Sequence, residues 1–238
     1  MTFAFVESTS TTDSTSTTRT VGLTGSMTPT AGDVIIVWAG GRGTVDTFTF
    51  TADSGWVDIG SIIRCDYPSG PSGNRYGAMH AWWKISDGTE TSVTVTRSGG
   101  SIHRAGAALY RSSTTETATI LGTPQDDTTG STSLTAYTPP SPTVIRTVNL
   151  IEIVQAHTDI SGTMSTDNAQ GFTVRPQNPA GSIRPVTNIY DLIVTAGTHT
   201  MPTSSIGGLS RPWTSKTFAL AAELPAPSGW SVGFVRFG

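Results

Sequence analysis

The stretch YGAMHAWWKISDGTETSVTVTRS, residues 76–98, restricts the fold more than any other part of the chain. Strict alternation sends Met79, Ala81, Trp83 and Ile85 to one side and Tyr76, Ala78, His80, Trp82 and Lys84 to the other, which is the period of a β-strand. After Asp87-Gly88, Val93 and Val95 alternate with Ser92, Thr94 and Thr96, so a second, half-buried strand is expected to fold back on the first as a hairpin. The Met79 side reads as core. The other side is amphipathic, the pattern of a face covered by a loop or by a neighbouring subunit.

The remaining segments repeat this style. Residues 33–39, DVIIVWA, form an almost continuous apolar run, as expected of a strand buried on both faces. Phe3 to Val6 reads as a short strand. The Ser/Thr tract behind it has the composition of a disordered arm and equally that of a polar edge strand around 17–23, the reading favoured because Thr is β-branched. Phe48 and Phe50 share one face of a strand over 45–51, and another strand is expected over 56–64. The loop 68–74 is too rich in Pro and Gly to hold a ladder. Residues 102–111 carry small side chains at their centre, over which Trp83 is expected to pack. Strands are also expected at 144–156 (where Val and Ile outweigh the helical alternative), 171–175, 186–196, 214–223 and 229–237, with 112–142 as a long polar connection. No helical period persists for three turns. The expected fold is all-β: a two-sheet antiparallel sandwich of jelly-roll type, with about a dozen strands in one domain over 1–238 and a Ser/Thr-rich N-terminal strand or arm.

Charged residues make up only 13% of the chain, and the formal net charge is −3. With two lysines, Lys84 and Lys216, and no basic stripe to neutralise phosphates, nucleic acid is not an expected partner. Cys65 is the only cysteine, so no disulfide or Cys-pair metal motif can form within the chain. The N-terminus lacks the pattern of a signal peptide and no apolar run approaches the ~20 residues of a membrane helix, so a protein made and kept in a cytoplasm is expected, with no membrane partner.

Catalytic chemistry finds no pattern here. There is no Gly-x-Ser-x-Gly elbow, and His80, His103, His157 and His199 have no metal-ligand spacing, His157 with Asp159 being the nearest approach to one. Glu90, Glu116, Glu152 and Glu223 are the carboxylates from which a glycosidase pair would have to come; Glu152 and Glu223, inside apolar strands, are expected to turn to solvent or to a subunit interface. No catalytic residue, cofactor or metal is expected. Of the six tryptophans, Trp38, Trp56, Trp83 and Trp230 fit core positions. Trp82 and Trp213 remain, and with Tyr76, His80 and Lys84 they are the candidate contacts for a partner or a glycan.

Taken in order, AGDVIIVWAGGRG, SGWVDIGS, YGAMHAWWKISDGTETSVTVTRSGG, HRAGAALYR and PAPSGWSVGFVRFG resemble a β-sandwich family of tailed-bacteriophage virion proteins, over residues 3–238. The resemblance implies a non-enzymatic structural protein of the virion surface, made in the host cytoplasm: a capsid decoration (cement) protein, a head fibre or a tail-associated protein. It implies the major capsid protein as partner and a homo-oligomer, a trimer by preference. The alternative is a tail-fibre or receptor-binding module recognising host glycans, and a cell-wall hydrolase would further require two convergent carboxylates. The family has no catalytic residues to carry over. Contacts peculiar to this chain are expected in the loop 68–74 and in 157–184.

Overall fold

The computed structural model describes residues 2–12, 14–47, 49–66, 76–100, 102–112, 117–130, 132–157, 164–167, 170–176, 185–207 and 210–223. Phe48, the loop 68–74, Asp159, Trp230 and the expected strand 229–237 lie outside them, as do 158–163 and 177–184.

Strands β1 (Phe3–Ser10), β2 (Thr18–Gly22), β3 (Val34–Gly43), β4 (Thr49–Ala52), β5 (Val57–Asp58), β6 (Ile63–Asp66), β7 (Tyr76–Ile85), β8 (Ser92–Ser98) and β9 (Ile102–Ser112) make up the first half of the chain. The second half holds β10 (Ala118–Thr128), β11 (Ala136–Tyr137), β12 (Thr143–Val144), β13 (Val148–Ala156), β14 (Ser165–Asp167), β15 (Thr173–Pro176), β16 (Val186–Val194), β17 (Gly197–Thr198), β18 (Thr203–Ser205) and β19 (Trp213–Ala222). All pairings are antiparallel, and no α-helix occurs among the described residues. The all-β antiparallel sandwich expected from the sequence is the fold observed.

Its layers number four rather than two. The first half forms an outer sheet, β2-β8-β4, and a central sheet, β1-β9-β3-β7, with β5 and β6 both on β7. The second half forms a central sheet, β10-β19-β13-β16-β15, and an outer sheet, β11-β18-β14, beside the small β12-β17 ribbon. Counted from the start of each half, the strand order is the same: β1-β9-β3-β7 corresponds to β10-β19-β13-β16, and β2-β8-β4 to β11-β18-β14. No sequence repeat announces this correspondence.

Three apolar clusters glue the layers. Val21, Val93, Ile35 and Val37 join the first outer sheet to its central sheet. Ile36, Trp38 and Met79 meet Ile151, Ile153 and Phe218 between the two central sheets. Val154, Tyr190 and Trp213 meet Tyr137, Met164 and Ile206 in the second half. Both central sheets are thus covered on both faces, which is why β3, β13 and β19 are buried at every position. The apolar run at 33–39 predicted this for β3.

Several local expectations change. β7 and β8 are not a hairpin: β7 pairs with β3, β5 and β6 in the central sheet, whereas β8 pairs with β2 and β4 in the outer one. Residues 86–91 therefore form an arch across the sandwich. Ser86 Oγ and the Asp87 N–H donate to the Glu90 carboxylate, which also pairs with Lys84 Nζ at 2.6 Å. Residues 118–128, placed in a polar connection, are an edge strand; their polar character reflects exposure on one side. The 56–64 segment splits into β5 and β6 around a turn at Gly60, whose φ is 64°. The ring over the small residues of β9 is Trp38, not Trp83. Trp38 is in register with Gly106, and a Cβ on Gly106 would lie 2.5 Å from the indole and 2.8 Å from the Thr9 carbonyl oxygen.

Candidate functional site

The candidate contacts divide between the two halves. Tyr76, His80, Trp82 and Lys84 lie on β7, and Trp213 opens β19. Trp82 is 3% exposed and Trp213 fully buried, so neither ring is a platform on the surface of the chain. The physical reason is the third and fourth layers: a face that would meet solvent in a two-sheet sandwich is here roofed by an outer sheet. Trp82 packs under β8 with Val93 and Val95. Trp213 stacks on Tyr137 at 5.7 Å and donates its indole N–H to the Leu134 carbonyl oxygen at 3.0 Å.

His80 is also largely buried, edge-on to Trp82 with centroids 4.5 Å apart, and its Nε2 lies 2.9 Å from Asp58 Oδ1. Burial lowers its proton affinity, and Asp58 opposes this only in part. Lys84, raised chiefly by its hydrogen bond to Glu90, is committed to the arch. Burial acts to raise the Glu90 carboxyl, but hydrogen bonds from Lys84 and Ser86 outweigh it and hold the group at about 2. Tyr76 is half-buried at the end of β7. Tyr76 and Lys84 alone of the five present side chains to solvent, at opposite ends of one strand.

Between the central sheets lies a layer of buried polar locks that sequence reasoning did not anticipate. Asn149 Oδ1 accepts from the Phe3 N–H at 2.8 Å, and Asn149 Nδ2 donates to the Phe3 carbonyl oxygen at 2.6 Å. Gln155 crosses above Gly40 to Thr187, and His157 sits above Gly77 with Nε2 3.0 Å from Thr214 Oγ1. A Cβ at Gly40 or Gly77 would collide with these side chains, at 1.8 Å and 2.4 Å. Lys216 Nζ, buried, pairs with Asp126 and donates to the Ser61 carbonyl oxygen at 3.0 Å, tying the second half to the β5–β6 turn. His157 is therefore a packing residue. Among the described residues no group of three or more His, Cys, Asp or Glu side chains is placed to hold a metal.

Glu152 overturns a further expectation. Rather than turning to solvent, it is fully buried on the face of β13 toward the outer sheet, and burial, helped by the charge of Asp127, raises its proton affinity well above the ordinary carboxylate value. Glu223 is exposed, as expected. Two of the clefts among the described residues bear on this. One, of about 340 Å³, lies between β10, β19 and β12 and has no carboxylate in its wall. The other, of about 290 Å³, contains Asp191, which is engaged by Arg175. Neither holds the pair of convergent carboxylates that glycoside cleavage requires.

What the molecule does display is hydroxyl groups. On the first outer sheet Thr20 pairs with Thr94 at 3.1 Å and Thr49 with Ser98 at 2.7 Å, strand to strand. In the second half Thr143 pairs with Thr198 and Ser165 with Ser205, each at 2.8 Å, and Thr138 pairs with Thr203. The Thr143–Thr198 pair lies on the β12-β17 ribbon, and the others lie on the outward faces of the two outer sheets. The alternating Thr and Ser of 92–98 was their signal in the sequence.

Comparison of the chain with protein-family models, with curated proteins and with solved structures finds no match.

Proposed function

We propose that this chain is a non-enzymatic structural protein of a tailed-bacteriophage virion, a decoration or cement protein that binds the outside of the capsid and stabilises it. The observation that carries this reading is the pair of hydroxyl-lined outer sheets at opposite ends of the four layers. Ordered cross-strand hydroxyls, interrupted on the second outer sheet by the Asp167 carboxylate, offer donors and acceptors that suit many identical hydrogen-bonded contacts with a repeating shell. The interior favours rigidity. Each central sheet is buried on both faces, and the polar groups between the two are tied from one half to the other.

In this reading the partner is the major capsid protein, and copies assemble as trimers around local symmetry axes of the shell. Each half is read as a jelly-roll. The order β1-β9-β3-β7 facing β2-β8-β4 supports that winding, with the strands between β4 and β7 moved onto the β7 edge. The glycan-binding alternative loses its support, because Trp82 and Trp213 are buried. No helix among the described residues is long and apolar enough to cross a membrane.

The test is the copy number of the chain in the purified particle that encodes it, measured by quantitative mass spectrometry against the major capsid protein. A fixed ratio of the order of the shell's own copy number is expected; a handful of copies per particle points to the tail and overturns the capsid reading.

A further inference from the structure

One cleft of the second half has apolar walls without a charge, and the sequence explains why it forms. β10 bulges away from β19: Leu121 is in register with Ala219 and Gln125 with Thr217, four steps along one strand against two along the other. Gly122 turns the chain at a φ of 72°, and Pro124 has no N–H to give to the ladder. The detour leaves a space of about 340 Å³. Leu121, Val144, Leu150 and Ala219 line it, all belonging to the apolar cluster that elsewhere is roofed by β11-β18-β14. No residue of that outer sheet is among the walls. Ile145, at the rim, is 79% exposed.

β19 ends beside this cleft. Ala222, three residues beyond Ala219, accepts at its carbonyl oxygen from Arg146 Nη2 at 2.8 Å, and Arg146 directly follows Ile145 of the rim. On the other side the Glu223 N–H donates to the Thr117 carbonyl oxygen at 2.7 Å. Residues 224–238 come next and lie outside the described residues. Their sequence carries two signals. Pro225 and Pro227 cannot extend the ladder of β19, and Ser228-Gly229 is a turn pair. Beyond it Trp230, Val232 and Phe234 alternate with Ser231, Gly233 and Val235, the pattern of a strand with one strongly apolar face. The stretch 224–229 can reach about 20 Å when extended, and Ala219 lies only about 10 Å back along β19 from Ala222.

We propose that this cleft is the seat of the chain's own segment 230–237, which turns back at Ser228-Gly229 and lays its Trp230 and Phe234 side against Leu121, Val144, Leu150 and Ile145. Chemistry selects the occupant. The segment has an apolar face to bury and Arg236 as its one charged residue, and the cleft wall has no charge to leave unpaired. Other surfaces suit it less: the outward faces of the outer sheets carry hydroxyls, and the second cleft holds the Arg175–Asp191 ion pair. A neighbouring copy would offer the same walls, but a short tether gives the chain's own cleft an effective concentration of about a millimolar, which favours seating within one copy. The segment then covers Ile145 and closes the second half where its outer sheet stops.

The test uses the full chain, with amide hydrogen exchange read by mass spectrometry and the dye ANS as a probe of open apolar surface. In the wild type, 230–237 is expected to exchange at least tenfold more slowly than an unstructured peptide of the same sequence, at any protein concentration, and ANS to find no site that Ile145→Asp removes. Trp230→Ala with Phe234→Ala is expected to release the segment, so that exchange at 230–237, 121–123 and 143–145 rises at least tenfold and ANS binds. Adding Ile145→Asp is expected to weaken that dye binding at least fivefold, while Ile193→Asp, at the second cleft, leaves it unchanged. Unprotected 230–237 in the wild type, or wild-type ANS binding that Ile145→Asp abolishes, overturns the proposal and leaves an open cleft for a small apolar ligand. Protection that appears only as the chain dimerises overturns it in favour of a neighbouring copy. Unchanged exchange at 121–123 and 143–145 in the double variant seats the segment elsewhere and overturns it as well. The wild-type readings decide the matter even if the double variant unfolds.

Discussion

His157 and His103 show what burial does to single residues in this molecule. His157 is fully enclosed between the central sheets, where burial, with Arg42 nearby, depresses it to about 3. His103 is depressed to about 4 by burial and by Arg97, whose Nε donates to its Nδ1 at 3.0 Å, a bond that only the neutral ring accepts. Both fold as neutral rings but take up a proton near 6.5 when unfolded. Their contribution to stability is therefore fully present above about pH 6.5 and is lost as pH falls toward 4 and then 3, at roughly 1.4 kcal/mol per pH unit for each ring. Denaturant melts at a series of pH values are expected to show this acid limb, and His157→Gln to remove about half its slope; an unchanged slope contradicts the assignment. Little of this was legible in the sequence. Alternation places a residue on one of two faces but does not say how many layers lie beyond each face, so Glu152, Gln155 and Lys216 could not be recognised as inward-facing.

The elements were more legible than their partners. Apolar runs and period-2 alternation located β1, β2, β3, β7, β8, β9, β13, β15, β16 and β19, because burial and β-branching act locally. Pairing does not. The tight turn at Asp87-Gly88 reads as a hairpin, yet Glu90 gathers Lys84, Ser86 and the Asp87 N–H into an arch that sends β8 to another sheet. Residues 118–128 lack a sustained apolar face because a bulge between Leu121 and Gln125 breaks their alternation. Close packing between strands β3 and β9 gives the sharpest prediction at this scale. Gly106→Ala forces its Cβ against both the Trp38 ring and the Thr9 backbone, and only the ring has any freedom to move. A loss of about 2–3 kcal/mol is expected from chemical denaturation. A substitution that costs nothing would mean that β1 and β9 are not seated as described.

For the molecule as a whole, the repetition of one strand order in two halves explains both what the sequence showed and what it hid. The style of the strands was uniform along the chain, which suggested one sandwich; the same uniformity comes from two units of like order sharing a core through Trp38, Met79, Ile151, Ile153 and Phe218. Joining the halves through their central sheets leaves the Ser/Thr-bearing sheets outermost, and the proposed function rests on those faces. The candidate site was less legible than the fold, because the large aromatic side chains on which recognition was expected serve the core. The most direct measurement adds purified protein to capsids assembled without it and follows co-sedimentation, alongside variants Thr20→Glu and Thr94→Glu on the first outer sheet. Saturable binding at a fixed ratio to the shell protein, a capsid that then resists higher temperature, and at least tenfold weaker binding by the glutamate variants at unchanged melting temperature are predicted. Protein that stays in the supernatant, with no change in capsid stability, would contradict the account.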